Sequence, residues 1–134
     1  MKLNLGCGTQ ILDPKEWVNV DLHYIHPDVV RDDMVSLKKI NGLYDLIYCA
    51  HAIMYVPNIC LYRMFLRWRE LLKANGKIII EEATNKEPWE YVKYIRHPEV
   101  LIWKLSDVGF KNVKKVKRPE WSRHKGGYCI EGIR

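Results

Sequence analysis

The sequence predicts an α/β fold: a mostly parallel sheet that ends in an antiparallel pair of strands, with helices on both faces. Three observations carry this expectation. Short apolar runs bounded by turn residues alternate with stretches of helical periodicity. The runs Y-D-L-I-Y-C-A (44–50) and K-I-I-I-E-E (77–82) are apolar nearly throughout, the pattern of strands buried on both faces. The last two strand-like runs, 112–117 and 128–133, are joined by a loop containing proline and glycine, which suits a hairpin. The chain has 134 residues, 48% of them hydrophobic and 28% charged, which excludes a disordered chain and fits one domain over residues 1–134. No apolar run approaches the ~18 residues that a spanning helix needs.

Each element follows from local pattern. Residues 2–5 form an apolar run closed by Gly6-Cys7-Gly8, and residues 17–22 form a second that contains Asp21. Val29 and Val30, before Asp32-Asp33, predict a short third strand. Leu61, Met64, Phe65, Trp68, Leu71 and Leu72 recur at helical spacing and make one apolar stripe. Asn58 is the expected cap of this helix and Asn75-Gly76 its expected stop. Arg63, Arg67, Arg69, Glu70 and Lys73 fall outside the stripe and read as a solvated face. A further helix, with Trp89, Val92 and Ile95, is expected between Pro88 and Arg96. Pro98 suits a first helical position, and Val100, Leu101, Leu105 and Val108 form the stripe of a helix that stops at Gly109.

Cys7, Cys49, Cys60 and Cys129 are scattered, without C-x-x-C spacing, and read as thiols in a reducing compartment. No metal site is expected, because His23, Tyr24 and His26 have no carboxylate or cysteine at ligand spacing. Met1 leads almost directly into the first motif, so no signal peptide and a cytoplasmic location are expected. Charge is uneven. Residues 1–67 hold seven basic and seven acidic side chains, whereas residues 68–134 hold fifteen and nine and so carry the whole net charge of +6.

Ligands of an open parallel sheet bind beyond the carboxyl ends of the strands, which is where Gly6-Cys7-Gly8 falls. A dinucleotide site does not fit: Ile11 replaces the third glycine of G-x-G-x-x-G, and Asp13-Pro14 leaves little room for a phosphate-binding helix. Asp21 at a strand end can accept hydrogen bonds from both hydroxyls of a ribose. Asp32 or Asp33, followed by Met34, offers an acceptor for an exocyclic amine beside an apolar contact for a base. Recognition of a nucleoside without a diphosphate points to S-adenosylmethionine.

The run L-N-L-G-C-G-T (3–9) followed by E-W-V-N-V-D-L (16–22) resembles the class I S-adenosylmethionine-dependent methyltransferases. More narrowly, it resembles their compact branch, in which the glycine loop passes almost directly into a W-[VI]-N-V-D strand. The similarity continues through V-V-R-D-D, Y-D-L-I-Y-C-A-H (44–51), L-L-K-A-N-G-K-I-I-I (71–80) and L-S-D-V-G-F (105–110), over about the whole chain and in the family's order. The resemblance implies a Rossmann-like fold and S-adenosyl-L-methionine as cofactor. It places the backbone of Gly6, Cys7 and Gly8, next to Asn4, along the methionine part. By the same likeness Asp21 holds the ribose, Leu22 touches the adenine, and Asp32, or second to it Asp33, meets the adenine amine. Ala50 and His51 would approach the sulfonium.

This sequence also departs from the family. Asn4 replaces an acidic residue, and His51-Ala52-Ile53-Met54-Tyr55 lacks the glutamate and second histidine of the frequent H-V-L-E-H. The chain begins at the first strand, without the helices that often close the pocket, and a homodimer covering the opening is the matching expectation. For a hydroxyl acceptor, His51 is the favoured base, with Tyr55, Glu82 and His124 behind it. Of Glu81 and Glu82, which alternate along a strand, at most one should face the pocket. The acceptor is expected to be a small molecule or carbohydrate, met by loops 55–59, 84–97 and 119–127, with Trp89, Tyr91 and Tyr94 as candidate walls. Two alternatives stand beside this reading. Residues 111–125 hold seven basic side chains, one acid and Trp121, which suits a nucleic acid. The departures after the fourth strand suit a catalytically degenerate domain that only binds the cofactor or a partner.

Overall fold

The computed structural model describes residues 1–83 and 94–134. Seven strands form one sheet: β1 (Lys2–Leu5), β2 (Trp17–Asp21), β3 (Val29–Arg31), β4 (Tyr44–Ala50), β5 (Leu72–Glu82), β6 (Lys111–Lys115) and β7 (Tyr128–Ile133). Their order across the sheet is β3-β2-β1-β4-β5-β7-β6. The first five are parallel, and β7 runs antiparallel to both β5 and β6. The chain builds outward from β1 toward β3, then returns to lay β4 on the other side of β1. The reversal opens a crevice above the carboxyl ends of β1 and β4.

Two helices, α1 (Asn58–Glu70) and α2 (Pro98–Asp107), lie among the described residues. Leu61, Met64, Phe65 and Trp68 of α1 are buried, as their spacing predicts. They share one core with Leu101 and Leu105 of α2 and with Leu3, Leu5, Val20, Ile47, Cys49, Ile78, Ile80 and Ile130. Those strand residues all point to one side of the sheet, because paired neighbours in the ladders share a face. Both described helices therefore cover the same face, and among the described residues the other face carries no helix. Right-handed connections that step from β1 toward β3 must cross the opposite face. These connections, residues 6–16 and 22–28, are too short for a helix and form turns. That second face, with Asn4, Trp17, Asn19, Tyr48 and Glu81, is covered instead by loops.

Several boundaries differ from their sequence-based expectations. Pro57, not Asn58, caps α1, and the Asn58 side chain accepts a hydrogen bond from Arg96 Nε at 2.8 Å. The helix ends at Glu70, not at Asn75-Gly76, because Leu72 is drawn into pairing with Tyr44 and is fully buried. Arg67 is not simply solvated: its guanidinium donates to the carbonyls of Leu37 and Ile40 and ties the β3–β4 connection to α1. Trp68 Nε1 donates to the Met34 carbonyl in the same connection at 2.7 Å. In α2, Leu101 and Leu105 are buried, whereas Val100 is exposed. Residues 84–93, where most of the expected helix before Arg96 falls, lie outside the described residues, and Trp89 and Tyr91 with them. All four cysteines are free thiols. Among the described residues no helix is long and apolar enough to cross a membrane, and no group of histidine, cysteine, aspartate and glutamate is arranged to hold a metal ion.

Candidate functional site

A cleft of about 680 Å³ opens where the strand order reverses. Its floor is the glycine loop after β1. Gly6 has φ +63°, and a Cβ there would lie 2.5 Å from Ala52 Cβ, so no larger residue fits against the segment leaving β4. Gly8 has φ +49° and open space around it, which leaves its backbone accessible to a ligand.

Asp21, at the end of β2, ties this loop together. One carboxylate oxygen accepts from the Gly8 N–H at 2.9 Å, and the other accepts from the N–H groups of His23 and Tyr24, both at 2.8 Å. Burial alone would raise its pKa, but these three donors outweigh it and hold the carboxyl below its ordinary range. Asp21 is thus an ionised acceptor facing the cleft, with lone pairs left for hydroxyl donors.

Asp32 and Asp33 both line the cleft, yet differ. Asp32 is buried, and its two oxygens accept from the backbone N–H groups of Asp33 and Lys39 at 2.8 and 2.7 Å. Asp33 is half-buried and holds the Val35 N–H with one oxygen at 2.9 Å. Leu22, 44% exposed, and Met34 supply apolar walls around them.

The opposite wall leaves β4. His51 takes a left-handed φ of +53°, donates its N–H to the Glu81 carbonyl and lines the cleft with Ala52, Tyr55, Val56 and Pro57. Its ring stacks on His124, with centroids 4.2 Å apart and planes at 14°. His124 Nε2 lies 2.9 Å from Gln10 Oε1. Burial, with the charges of Arg123 and Arg118, holds the His124 imidazole below its ordinary pKa.

His124 reaches this place on a loop that crosses the face opposite α1 and α2. Trp121 lies edge-on to Trp17 and Tyr48, at centroid distances of 5.4 and 4.6 Å. Ser122 donates to Glu81 at 2.8 Å, Arg118 pairs with the same carboxylate at 3.3 Å, and Arg123 donates to Thr9 at 3.0 Å. This arrangement changes the reading of the basic segment. Trp121 is engaged with two core rings, and Arg118 is paired. Lys111, Lys114 and Lys115 remain exposed along β6, the edge strand.

The side chains of Asn4 and Cys7, and Ala50 at the end of β4, are not part of the cleft lining; the expectation for Cys7 concerns its backbone. Asn4 is buried and donates to the Gln10 carbonyl and to Asn19 Oδ1, so it shapes the turn after the glycine loop. Cys7 is buried too, and burial with the nearby Asp21 charge pushes its thiol up to about 12. Ala50 ends β4, paired with Glu81, and does not line the cleft. Neither Glu81 nor Glu82 lines it; both are buried, on opposite faces of β5. Gln10 and Ala52 carry no pattern that singles them out in sequence, because each matters only through a neighbour distant along the chain.

The sequence matches no protein-family model and no curated protein. Solved structures do resemble it. An S-adenosylmethionine-dependent methyltransferase from Archaeoglobus fulgidus superposes with a TM-score of 0.73 at 18% identity, over 99% of this chain and 85% of that one. The glycopeptide N-methyltransferase MtfA, complexed with sinefungin, gives 0.72 at 15% identity, over 98% and 85%. The CurJ carbon methyltransferase gives 0.72 at 16% identity, and there this chain spans 47% of the other's length. With β1 to β5 parallel, β7 antiparallel and the cleft at the strand reversal, the chain has the Rossmann-like fold of the class I methyltransferases.

Proposed function

We propose that the protein is an S-adenosylmethionine-dependent methyltransferase acting on an oxygen or nitrogen of a small-molecule or carbohydrate-like acceptor. The observation that carries this reading is the cleft itself: a glycine loop with no room for a side chain at Gly6, joined through Gly8 to an ionised Asp21. The residues fit the cofactor. The open backbone at Gly8 suits its methionine end, Asp21 its ribose hydroxyls, and Leu22 with Met34 its adenine. Asp32, with Asp33 second to it, is the candidate partner of the adenine amine: both line the cleft, and the oxygens of Asp32, each accepting one backbone N–H, keep lone pairs for a further donor. When bound, the cofactor supplies an activated methyl group and most of the driving force for its transfer. The chain's part is to orient the acceptor, exclude water and, for a hydroxyl, accept its proton, a role we give to His51, which lines the cleft, with Tyr55 second.

Thermal unfolding with S-adenosylmethionine, S-adenosylhomocysteine and NAD tests the reading. At about 100 times its dissociation constant a ligand adds about 2.7 kcal/mol, which raises the melting temperature by several degrees. Both adenosyl compounds should do so, NAD should not, and the shift should vanish in Asp21→Ala. No shift with either adenosyl compound refutes the proposal. Methyl transfer into sugars, small metabolites and RNA then separates acceptor classes. The exposed lysines of β6 keep RNA as the second reading, which salt-sensitive RNA binding would support.

A further inference from the structure

The wall of the cleft that leaves β4 is a single 3-10 turn, Ile53–Tyr55, followed by Val56 and Pro57. A turn this short satisfies few of its own backbone groups; here Tyr55 and Val56 donate back to Ala52 and Ile53. Further bonds reach the turn from outside, from one side chain above all. Arg96, only 9% exposed, donates to the Ile53 carbonyl at 3.0 Å, to the Val56 carbonyl, to Asn58 Oδ1 at 2.8 Å and to the Tyr94 carbonyl at 3.3 Å. Its planar fork thus spans the turn from first carbonyl to last and reaches the first residue of α1. Glu82 holds the other side, accepting from the Ile53 N–H at 3.1 Å. The clamp is itself anchored: Tyr94 N–H donates to the Met54 carbonyl, and the Tyr128 hydroxyl donates to the Arg96 carbonyl at 2.9 Å.

Burying a guanidinium is costly, and the cost is recovered only if its donors are well matched. The arrangement has a specific beneficiary. The turn sets the position of Ala52, and Ala52 is the residue that a side chain at Gly6 would strike. A displacement at Arg96 is therefore passed through Ile53 to Ala52 and on to the glycine loop, while Tyr55, Val56 and Pro57 shift with it.

We infer that Arg96, together with Glu82, is the positioning clamp of the cofactor cleft: it touches no ligand, and it sets the wall against which the ligand binds. The inference deepens the proposed function and rests on it for its binding readout. The test compares wild type, Arg96→Gln and Arg96→Lys, with Lys111→Ala as a surface control, by calorimetric titration with S-adenosylhomocysteine and by amide hydrogen exchange. Arg96→Gln should weaken binding by about tenfold or more, equivalent to roughly 1.4 kcal/mol, with Arg96→Lys in between. Exchange at Tyr55 and Val56 should quicken, while Ile47 and Ile80 in the core stay protected. Wild-type affinity and unchanged exchange at the turn in both Arg96 variants would overturn the clamp. If Arg96→Gln fails to fold, Arg96→Lys decides by the same two measurements. If wild type itself does not bind the probe, the proposed function fails, and exchange at the turn still judges the clamp.

Discussion

At the scale of single residues, the two glycines of the loop after β1 do different work. Gly6 is confined by Ala52 and also needs a left-handed backbone, whereas Gly8 needs only the backbone. Gly6→Ala should therefore cost about 2–5 kcal/mol in unfolding experiments, the backbone penalty plus overpacking, and should weaken the cofactor shift. Gly8→Ala should cost only the backbone penalty, about 1–2 kcal/mol. Equal losses in denaturant titrations of the two variants would contradict this account. Glu82 yields a prediction in pH. Burial raises its carboxyl from 4.5 to about 8, against opposing backbone donors and Arg96, so the folded state holds its proton more tightly than the unfolded chain does. The stability it contributes is complete below about 4.5 and is lost as pH rises through about 8. Melting temperatures of wild type should fall over that window relative to Glu82→Gln, which cannot ionise. Parallel curves for the two proteins would show that Glu82 does not titrate there.

At the scale of elements, legibility followed periodicity. The stripe of α1 and the apolar runs of β4 and β5 could be read because burial on one or both faces imposes a repeat on neighbouring residues. The loop at 118–124 has no repeat. Its Trp121 and basic side chains read as a surface for an anionic partner, yet the fold turns Trp121 onto Trp17 and Tyr48 and pairs Arg118 with Glu81. This loop stands in for a helix on the second face and brings His124 to His51. Trp121→Ala should cost about 1–2 kcal/mol, less than a fully buried tryptophan because Trp121 is 44% exposed. The same change should release the histidine stack, seen as altered imidazole resonances of both His51 and His124. A resonance of His51 that does not move would show that its place is set by β4 alone.

At the scale of the whole molecule, the two halves of the chain divide the labour. The nearly neutral first half supplies the glycine loop, Asp21, Asp32, Asp33 and the wall from Ala52 to Pro57. The basic second half closes the sheet, braces that wall through Arg96 and carries the exposed lysines of β6. Binding of S-adenosylhomocysteine should change little between low and moderate salt, because the exposed lysines lie on β6, at the edge of the sheet and three strands from β4. Any binding to polyanions should weaken steeply, and titrations at two ionic strengths distinguish the two behaviours.

Local pattern determined the individual strands, the two described helices and the turn and strand-end residues after β1 and β2, since each rests on residues a few positions apart. Gly6, Gly8 and Asp21 could be named because a turn and a strand end are local events. The tertiary structure alone decided which residues stand behind the site. It turned the side chains of Asn4 and Cys7 inward, put both described helices on one face, and joined His51 to His124 and Ile53 to Arg96. Those contacts span 73 and 43 positions. A side chain that acts by bracing a distant backbone leaves no pattern among its neighbours, so only the folded arrangement can reveal it.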